Sequence, residues 1–299
     1  MRPIFDRPRA AVHRRHGYTR AVPRLDPPAL HARAAAAADA LRACVLCPWR
    51  CGVDRTRGAL GYCRLDAELR VFHHYLSMSE ELELTPTYEI LFAGCSHRCR
   101  FCSVGPEVRR PLDAPRATLE DVVAGYRAAR ARGLKTLSFV GGEPTTSLAS
   151  ALAIVAALEP DVPIVWNTNL FLSDEAIALL DGVVSVVVGD VHFGNDTCAR
   201  RVGAVSPYLG AIGHALDRLA PRADLIVRLL VLPGHVDCCA LPAVDWLAAR
   251  GLPLRVRVLG NYTPPSHPRL GVLAAFPARD DLARVEAAVD ARGLARLEA

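Results

Sequence analysis

Ile90-Leu91-Phe92-Ala93-Gly94-Cys95-Ser96-His97-Arg98-Cys99-Arg100-Phe101-Cys102 is the stretch on which the rest of the chain turns. A short apolar run ends at a glycine and leads straight into three cysteines spaced CxxxCxxC. An apolar run bounded by glycine reads as a buried strand. Three thiolates at this spacing can wrap one face of a cubane, binding three irons and leaving the fourth without a protein ligand. An open coordination position is what separates a reactive metal site from a structural one. Zinc is the alternative, since it wants four ligands and His97 stands among the cysteines.

Beyond this loop, similar apolar runs recur at Thr136 to Val140, Ile164 to Asn167, Val183 to Val188, Leu225 to Leu232 and Arg255 to Leu259. Helical patterns separate them, at Leu119 to Arg132, Leu148 to Leu158, Asp174 to Leu180, Tyr208 to Leu219 and Ala243 to Arg250. Thr118 with Asp121, and Ser173 with Asp174 and Glu175, supply helix starts. Strands that are continuous Val/Ile/Leu runs between helices predict a parallel sheet covered on both faces. The expected fold is therefore α/β, a partial (β/α)6 barrel of the TIM type, with its function at the C-terminal ends of the strands.

Upstream, residues 1–27 are rich in Arg and Pro and read as a flexible basic extension. Residues 28–84 read as a small metal-binding module, with a helix from Pro28 to Ala43 and a strand pair at Leu69 to Tyr75 and Glu81 to Leu84. Residues 85–299 hold the barrel and a C-terminal helix. Within the module, Cys44, Cys47, Cys51 and Cys63 form CxxCxxxCx11C with Gly52, Gly58 and Gly61 between them. Such a loop is too small to fold by burial alone. Four thiolates can complete either a structural zinc site or an auxiliary 4Fe-4S cluster.

Composition narrows the class further. At 299 residues, 51% of them apolar, the chain can bury a full core. The net charge of +5 rests on arginine, Lys135 being the single lysine, and the densest basic group lies in the N-terminal extension. No aromatic and basic residues interleave in a stripe, which argues against a nucleic-acid partner. No run approaches the ~18 apolar residues of a membrane span. The N-terminus has no apolar signal core, so a cytoplasmic location is expected. Ten cysteines in that compartment should not form structural disulfides, and seven of them sit in two tight groups that point to metal.

The next strand ends in Gly141-Gly142-Glu143-Pro144. Glycines there would let the backbone approach a ligand closely, the adjacent carboxylate could receive an ammonium group, and Pro144 would shape the turn. Other strands end in Trp166-Asn167-Thr168-Asn169 and Gly189-Asp190-Val191-His192, and Arg228 lies in the strand before Pro233-Gly234. Cys198, Cys238 and Cys239 read as buried small apolar groups, or as thiols with a substrate or redox role.

These motifs together resemble the radical S-adenosylmethionine (SAM) superfamily, whose CxxxCxxC loop carries an aromatic residue where Phe101 stands. The later segments look like the activating enzymes of glycyl radical enzymes, above all a branch similar to the pyruvate formate-lyase activating enzyme. The resemblance implies that SAM chelates the open iron of a 4Fe-4S cluster on Cys95, Cys99 and Cys102. An electron then breaks the sulfonium to give methionine and a 5'-deoxyadenosyl radical. It further implies that Gly141, Gly142 and Glu143 hold the SAM amino group and that Arg228 reaches its carboxylate. Thr168 and Asp190 fall where a monovalent cation is held, with Asn167 at a place often acidic and His192 at one usually lysine. The expected substrate is a small molecule or a peptide or protein, and the expected electron donor a flavodoxin or ferredoxin. Activation of a glycyl radical enzyme in the strict sense is the alternative. A non-enzymatic iron-sulfur electron carrier and a zinc-dependent nucleic-acid-binding protein are the readings from other classes.

Overall fold

The computed structural model describes residues 25–298, Glu80, His267 and Pro268 excepted; most of the proposed basic extension lies outside the described residues. Eight strands form one sheet in chain order: β1 (Val71–Ser77), β2 (Thr87–Phe92), β3 (Thr136–Gly141), β4 (Ile164–Thr168), β5 (Val186–Asp190), β6 (Asp224–Leu230), β7 (Leu254–Leu259) and β8 (Ala295–Leu297). β1 pairs antiparallel with β2, every later pair is parallel, and the sheet stays open. The six apolar runs are β2 to β7. β1 and the three-residue β8 extend the expected six-stranded barrel at its two edges.

The helices are α1 (Pro27–Asp39), α2 (Gly105–Arg109), α3 (Leu119–Ala131), α4 (Leu148–Leu158), α5 (Asp174–Leu180), α6 (Asp196–Cys198), α7 (Leu209–Leu219), α8 (Leu241–Arg250) and α9 (Arg279–Ala291). The starts follow the local chemistry. Thr118 Oγ1 accepts from Asp121 N at 3.1 Å while the Asp121 carboxylate accepts from Thr118 N at 2.9 Å, closing a capping box ahead of α3. Ser173 Oγ accepts from Ala176 N at 3.2 Å ahead of α5.

Both faces of the sheet are buried, and strand periodicity divides them. Trp166, Val187, Leu225 and Val227 join the large apolar core, whereas their neighbours Val165, Val186, Val188 and Ile226 form a second, small one with Leu84. This accounts for a difference from the sequence reading: Glu81 to Leu84 is not a strand. Leu84 is wholly buried in the second core, Glu81 pairs with Arg228 of β6, and Glu83 pairs with Arg255 of β7.

The boundary drawn at 84 also shifts. β1 belongs to the barrel sheet, and Leu30, Ala37, Leu41 and Leu46 lie in the barrel's own core. The four-cysteine segment is thus a loop laid onto the barrel between α1 and β1. Among the described residues no helix is long and apolar enough to cross a membrane.

Truncating a fully buried leucine costs about 2–5 kcal/mol, while an exposed one costs within about 0.5 kcal/mol. Leu84→Ala is therefore expected to lower unfolding stability by that larger amount in anaerobic denaturant titrations, and Leu82→Ala, at a residue 71% exposed, to leave it unchanged. Equal effects would show that Leu84 does not anchor the second core.

Candidate active site at the barrel mouth

The C-terminal ends of β2 to β7 surround a cavity of about 470 Å³. Cys95, Cys99, Phe101 and Cys102 line it from the loop after β2, and Gly141 and Gly142 from the end of β3. Asn167 and Thr168 on β4, Asp190 and His192 after β5, and Arg228 on β6 complete the set foreseen from sequence. Glu143 and Pro144 do not line it.

Burial pushes the thiols of Cys95, Cys99 and Cys102 above their ordinary range. Three sulfurs gathered at the rim of a polar cavity fit a group that binds them as thiolates better than they fit a packed apolar core. Cys95 Sγ is also met by two donors, the His97 amide at 3.3 Å and Asn169 Nδ2 at 3.5 Å. Hydrogen bonds of this kind to cluster-ligating sulfur tune its potential. His97 is 2% exposed and packs its ring against Phe171 and Tyr208, with no hydrogen-bond partner for either ring nitrogen among the described residues. Burial holds it neutral, with a pKa of about 3. Among the described residues, Cys95, His97, Cys99 and Cys102 are not drawn together closely enough to hold a single ion.

The glycine turn works differently from the expectation. A Cβ at Gly141 would lie 2.3 Å from the backbone N and O of Phe92, and one at Gly142 would lie 1.9 Å from the carbonyl oxygen of Gly94. The close approach that excludes a side chain is to the protein's own backbone, where Gly142 N donates to Phe92 O at 2.8 Å and Glu143 N to Gly94 O at 3.0 Å. The two glycines zip the end of β3 to the start of the cysteine loop and expose only backbone to the cavity.

Glu143, expected to receive an ammonium group, is 1% exposed and accepts hydrogen bonds from three groups of the chain itself. Its Oε1 accepts from Thr145 N at 2.9 Å and Thr168 Oγ1 at 2.8 Å, and its Oε2 accepts from Asn169 N at 2.8 Å. Burial raises its pKa, and these donors oppose the shift. Pro144 opens the 3-10 turn that Glu143 caps. Thr168 Oγ1 also accepts from Leu170 N at 3.1 Å, so the hydroxyl foreseen for a monovalent cation is engaged on both sides. Arg228 lines the cavity, yet its Nε and Nη2 form a bidentate pair with Glu81 at 2.8 and 2.9 Å. His192 stacks edge-on against Phe101 with ring centres 5.1 Å apart, and burial lowers its pKa.

The four-cysteine loop abuts this mouth. Cys44, Cys47, Cys51 and Cys63 line one small cavity, and burial raises the Cys47 thiol to about 12. Trp49 Nε1 donates to Ser96 O at 2.8 Å, and the Trp49 ring stacks on Tyr62 at 4.2 Å. Arg98 lies over the same Tyr62 ring and donates to its carbonyl. Buried Arg55 donates to Thr146 O at 2.7 Å in the turn after Gly141-Gly142. Here too, among the described residues, the four sulfurs do not close to the spacing of a single ion.

Several participants were not assigned from sequence. Asn169 bridges Glu143 to Cys95 and Ser96, and Asn261, Tyr262 and Thr263 line the cavity beyond β7. Their signal was position alone, as polar residues just after a barrel strand.

Residues 90–247 match the family profile described as the Radical SAM superfamily. An uncharacterized protein of Methanocaldococcus jannaschii is 32% identical over 231 residues, which is 74% of this chain and 66% of that protein, somewhat less than two thirds of its length. Among solved structures, a radical SAM methyltransferase from Sphaerobacter thermophilus superposes with a TM-score of 0.53 at 19% identity, covering 71% of this chain and 66% of its own. Methylornithine synthase superposes with a TM-score of 0.50 at 14% identity, covering 91% of this chain and 75% of its own. At those identities the structures speak for the fold, an open, mostly parallel barrel. Profile, fold and cysteine loop agree, and the chain belongs to the radical SAM superfamily.

Proposed function

We propose that this protein is an enzyme that reductively cleaves SAM at a 4Fe-4S cluster on Cys95, Cys99 and Cys102 and abstracts a hydrogen atom from its substrate. The observation that carries this reading is the convergence of the Cys95, Cys99 and Cys102 thiols with polar groups from five further strand ends on one cavity. When bound, the cluster supplies the electron that breaks the sulfonium bond and releases a 5'-deoxyadenosyl radical. The chain's own residues orient and shield that event. The Gly141-Gly142 backbone offers polar atoms at the cavity wall, the Phe101 and His192 rings close one side, and Asp190 and Asn167 face the interior. Glu143 acts as a positioning residue, holding the ends of β3 and β4 in register with the cysteine loop.

The likeness to the pyruvate formate-lyase activating enzyme branch extends to the chemistry of SAM cleavage under this reading, and a flavodoxin or ferredoxin is the fitting reductant. Cys44, Cys47, Cys51 and Cys63 share one small cavity, and an auxiliary 4Fe-4S cluster is the reading carried for them, with zinc as the alternative. Trp49 and Tyr62 hold the four-cysteine loop against the Cys95 loop through Ser96 and Arg98.

Anaerobically reconstituted protein with dithionite and SAM is expected to release 5'-deoxyadenosine, and Cys99→Ala to reduce release to background. Undiminished release by that variant would remove Cys99 from the chemistry. Iron analysis addresses the second cluster. The combined Cys95, Cys99 and Cys102 alanine variant should retain about four irons per chain, and iron-free protein would assign the N-terminal thiols to another metal. Glu143→Gln places an amide N–H against backbone or hydroxyl donors, which leaves a buried donor unsatisfied at a cost of about 1–3 kcal/mol. A lowered melting temperature with the barrel still folded by circular dichroism is the expected result; an unchanged one would contradict the positioning role.

A further inference from the structure

Two loops outside the cavity bring together four potential metal ligands that neither the radical chemistry nor the N-terminal thiols use. Cys198 ends α6 after β5, while His235, Cys238 and Cys239 lie between β6 and α8. Cys198 Sγ is 3.8 Å from Cys238 Sγ, which is 3.7 Å from Cys239 Sγ. His235 Nδ1 stands 3.4 Å from Cys238 Sγ and 3.7 Å from Cys239 Sγ. All four ligand atoms lie within 4.8 Å of one another.

Zinc–sulfur bonds of about 2.3 Å and zinc–nitrogen bonds of about 2.0–2.1 Å, at tetrahedral angles, separate sulfurs by about 3.8 Å and sulfur from nitrogen by about 3.5 Å. The observed separations match that frame. Cubane thiolates bind different irons and stand farther apart than the ligands of one ion, so these four do not suit a cluster. Three thiolates and an imidazole are soft and borderline donors, the set that selects zinc among common divalent ions.

The surroundings read as a built site. Asn195 Oδ1 accepts from Cys198 N at 2.7 Å while its Nδ2 donates to Cys238 O at 2.6 Å, so one side chain fixes both arms. A Cβ at Gly194 would lie 2.4 Å from the Cys239 carbonyl oxygen, which holds the second arm close to the first. One π-helical turn, Ala199–Gly203, follows Cys198 and another, Val236–Ala240, contains Cys238 and Cys239, a distortion that is frequent at functional sites. Arg201 stands near His235, where its charge balances the single net negative charge of three thiolates on a dication.

We infer that Cys198, His235, Cys238 and Cys239 bind one tetrahedral divalent cation, zinc by ligand chemistry, which clamps the loop after β5 to the loop after β6. Binding displaces one proton from each of the three thiols to solvent, with no change of oxidation state. The clamp bears on the barrel mouth through the backbone. Arg98 N donates to Gly203 O at 2.8 Å and Arg100 N to Val202 O at 2.9 Å, so the π-turn that follows Cys198 carries the Cys95 to Cys102 loop.

Cluster-reconstituted full-length protein incubated with zinc sulfate and desalted should hold about one zinc equivalent more per chain than Cys238→Ser or His235→Ala, with iron equal in all three. Cys238 is exposed, so serine there leaves the packing in place. X-ray absorption fine structure at the zinc edge of the wild-type protein should show three sulfurs and one nitrogen; a site on the N-terminal thiols would show sulfur alone. This fine structure needs no variant and decides the matter even if a substitution disturbs folding. Equal zinc in the three proteins, a shell without nitrogen, or a disulfide between Cys198 and Cys238 in protein kept anaerobic and reduced would overturn the inference. Because the readout is zinc, its failure is distinct from failure of the SAM chemistry.

Discussion

The carboxylate of Glu143 is the interaction on which the barrel mouth depends. It gathers Thr145 N, Thr168 Oγ1 and Asn169 N, so one buried side chain ties the end of β3 to the end of β4. Asn169 passes the constraint on by donating to Ser96 Oγ and Cys95 Sγ. The Gly141-Gly142 backbone completes the tie from the other side, against Phe92 and Gly94. A buried carboxylate short of donors would be costly, and here each of its oxygens has at least one strong partner. The cysteine loop is thereby positioned by hydrogen bonds from two neighbouring strands as well as by its own sequence.

Two further layers press on the same loop. From below in sequence, Trp49, Arg55 and Tyr62 of the four-cysteine segment reach Ser96, Thr146 and Arg98. From beyond β5, the π-turn after Cys198 accepts the amides of Arg98 and Arg100. The three cysteine groups among the described residues are therefore connected through short stretches of backbone, with Cys95, Cys99 and Cys102 at the centre. An arrangement this heavily braced suits a site that must hold its geometry while an electron arrives.

How much of this was legible beforehand follows from where each signal resides. The six parallel strands and the starts of α3 and α5 were readable because apolar runs and capping residues are local. The three thiols and most of the polar cavity lining were readable because CxxxCxxC and the strand ends fix their place in a barrel. Glu81 to Leu84 was misjudged because its partners, Arg228, Arg255 and the valines of β4 and β5, lie far along the chain. The hydrogen bonds of Glu143 were not readable, because nothing local reveals that Thr168 and Asn169 would approach its oxygens. Cys198 joined His235, Cys238 and Cys239 only once β5 and β6 were adjacent, which no spacing within either loop discloses.

The account stands on an iron that the protein leaves open for SAM. Electron-nuclear double resonance of the dithionite-reduced protein, with SAM isotopically labelled at its amino nitrogen, tests this most directly. Hyperfine coupling between that nitrogen and the reduced cluster is the expected result, and it should vanish when Cys99 is replaced by alanine. A reduced cluster indifferent to labelled SAM would contradict the account.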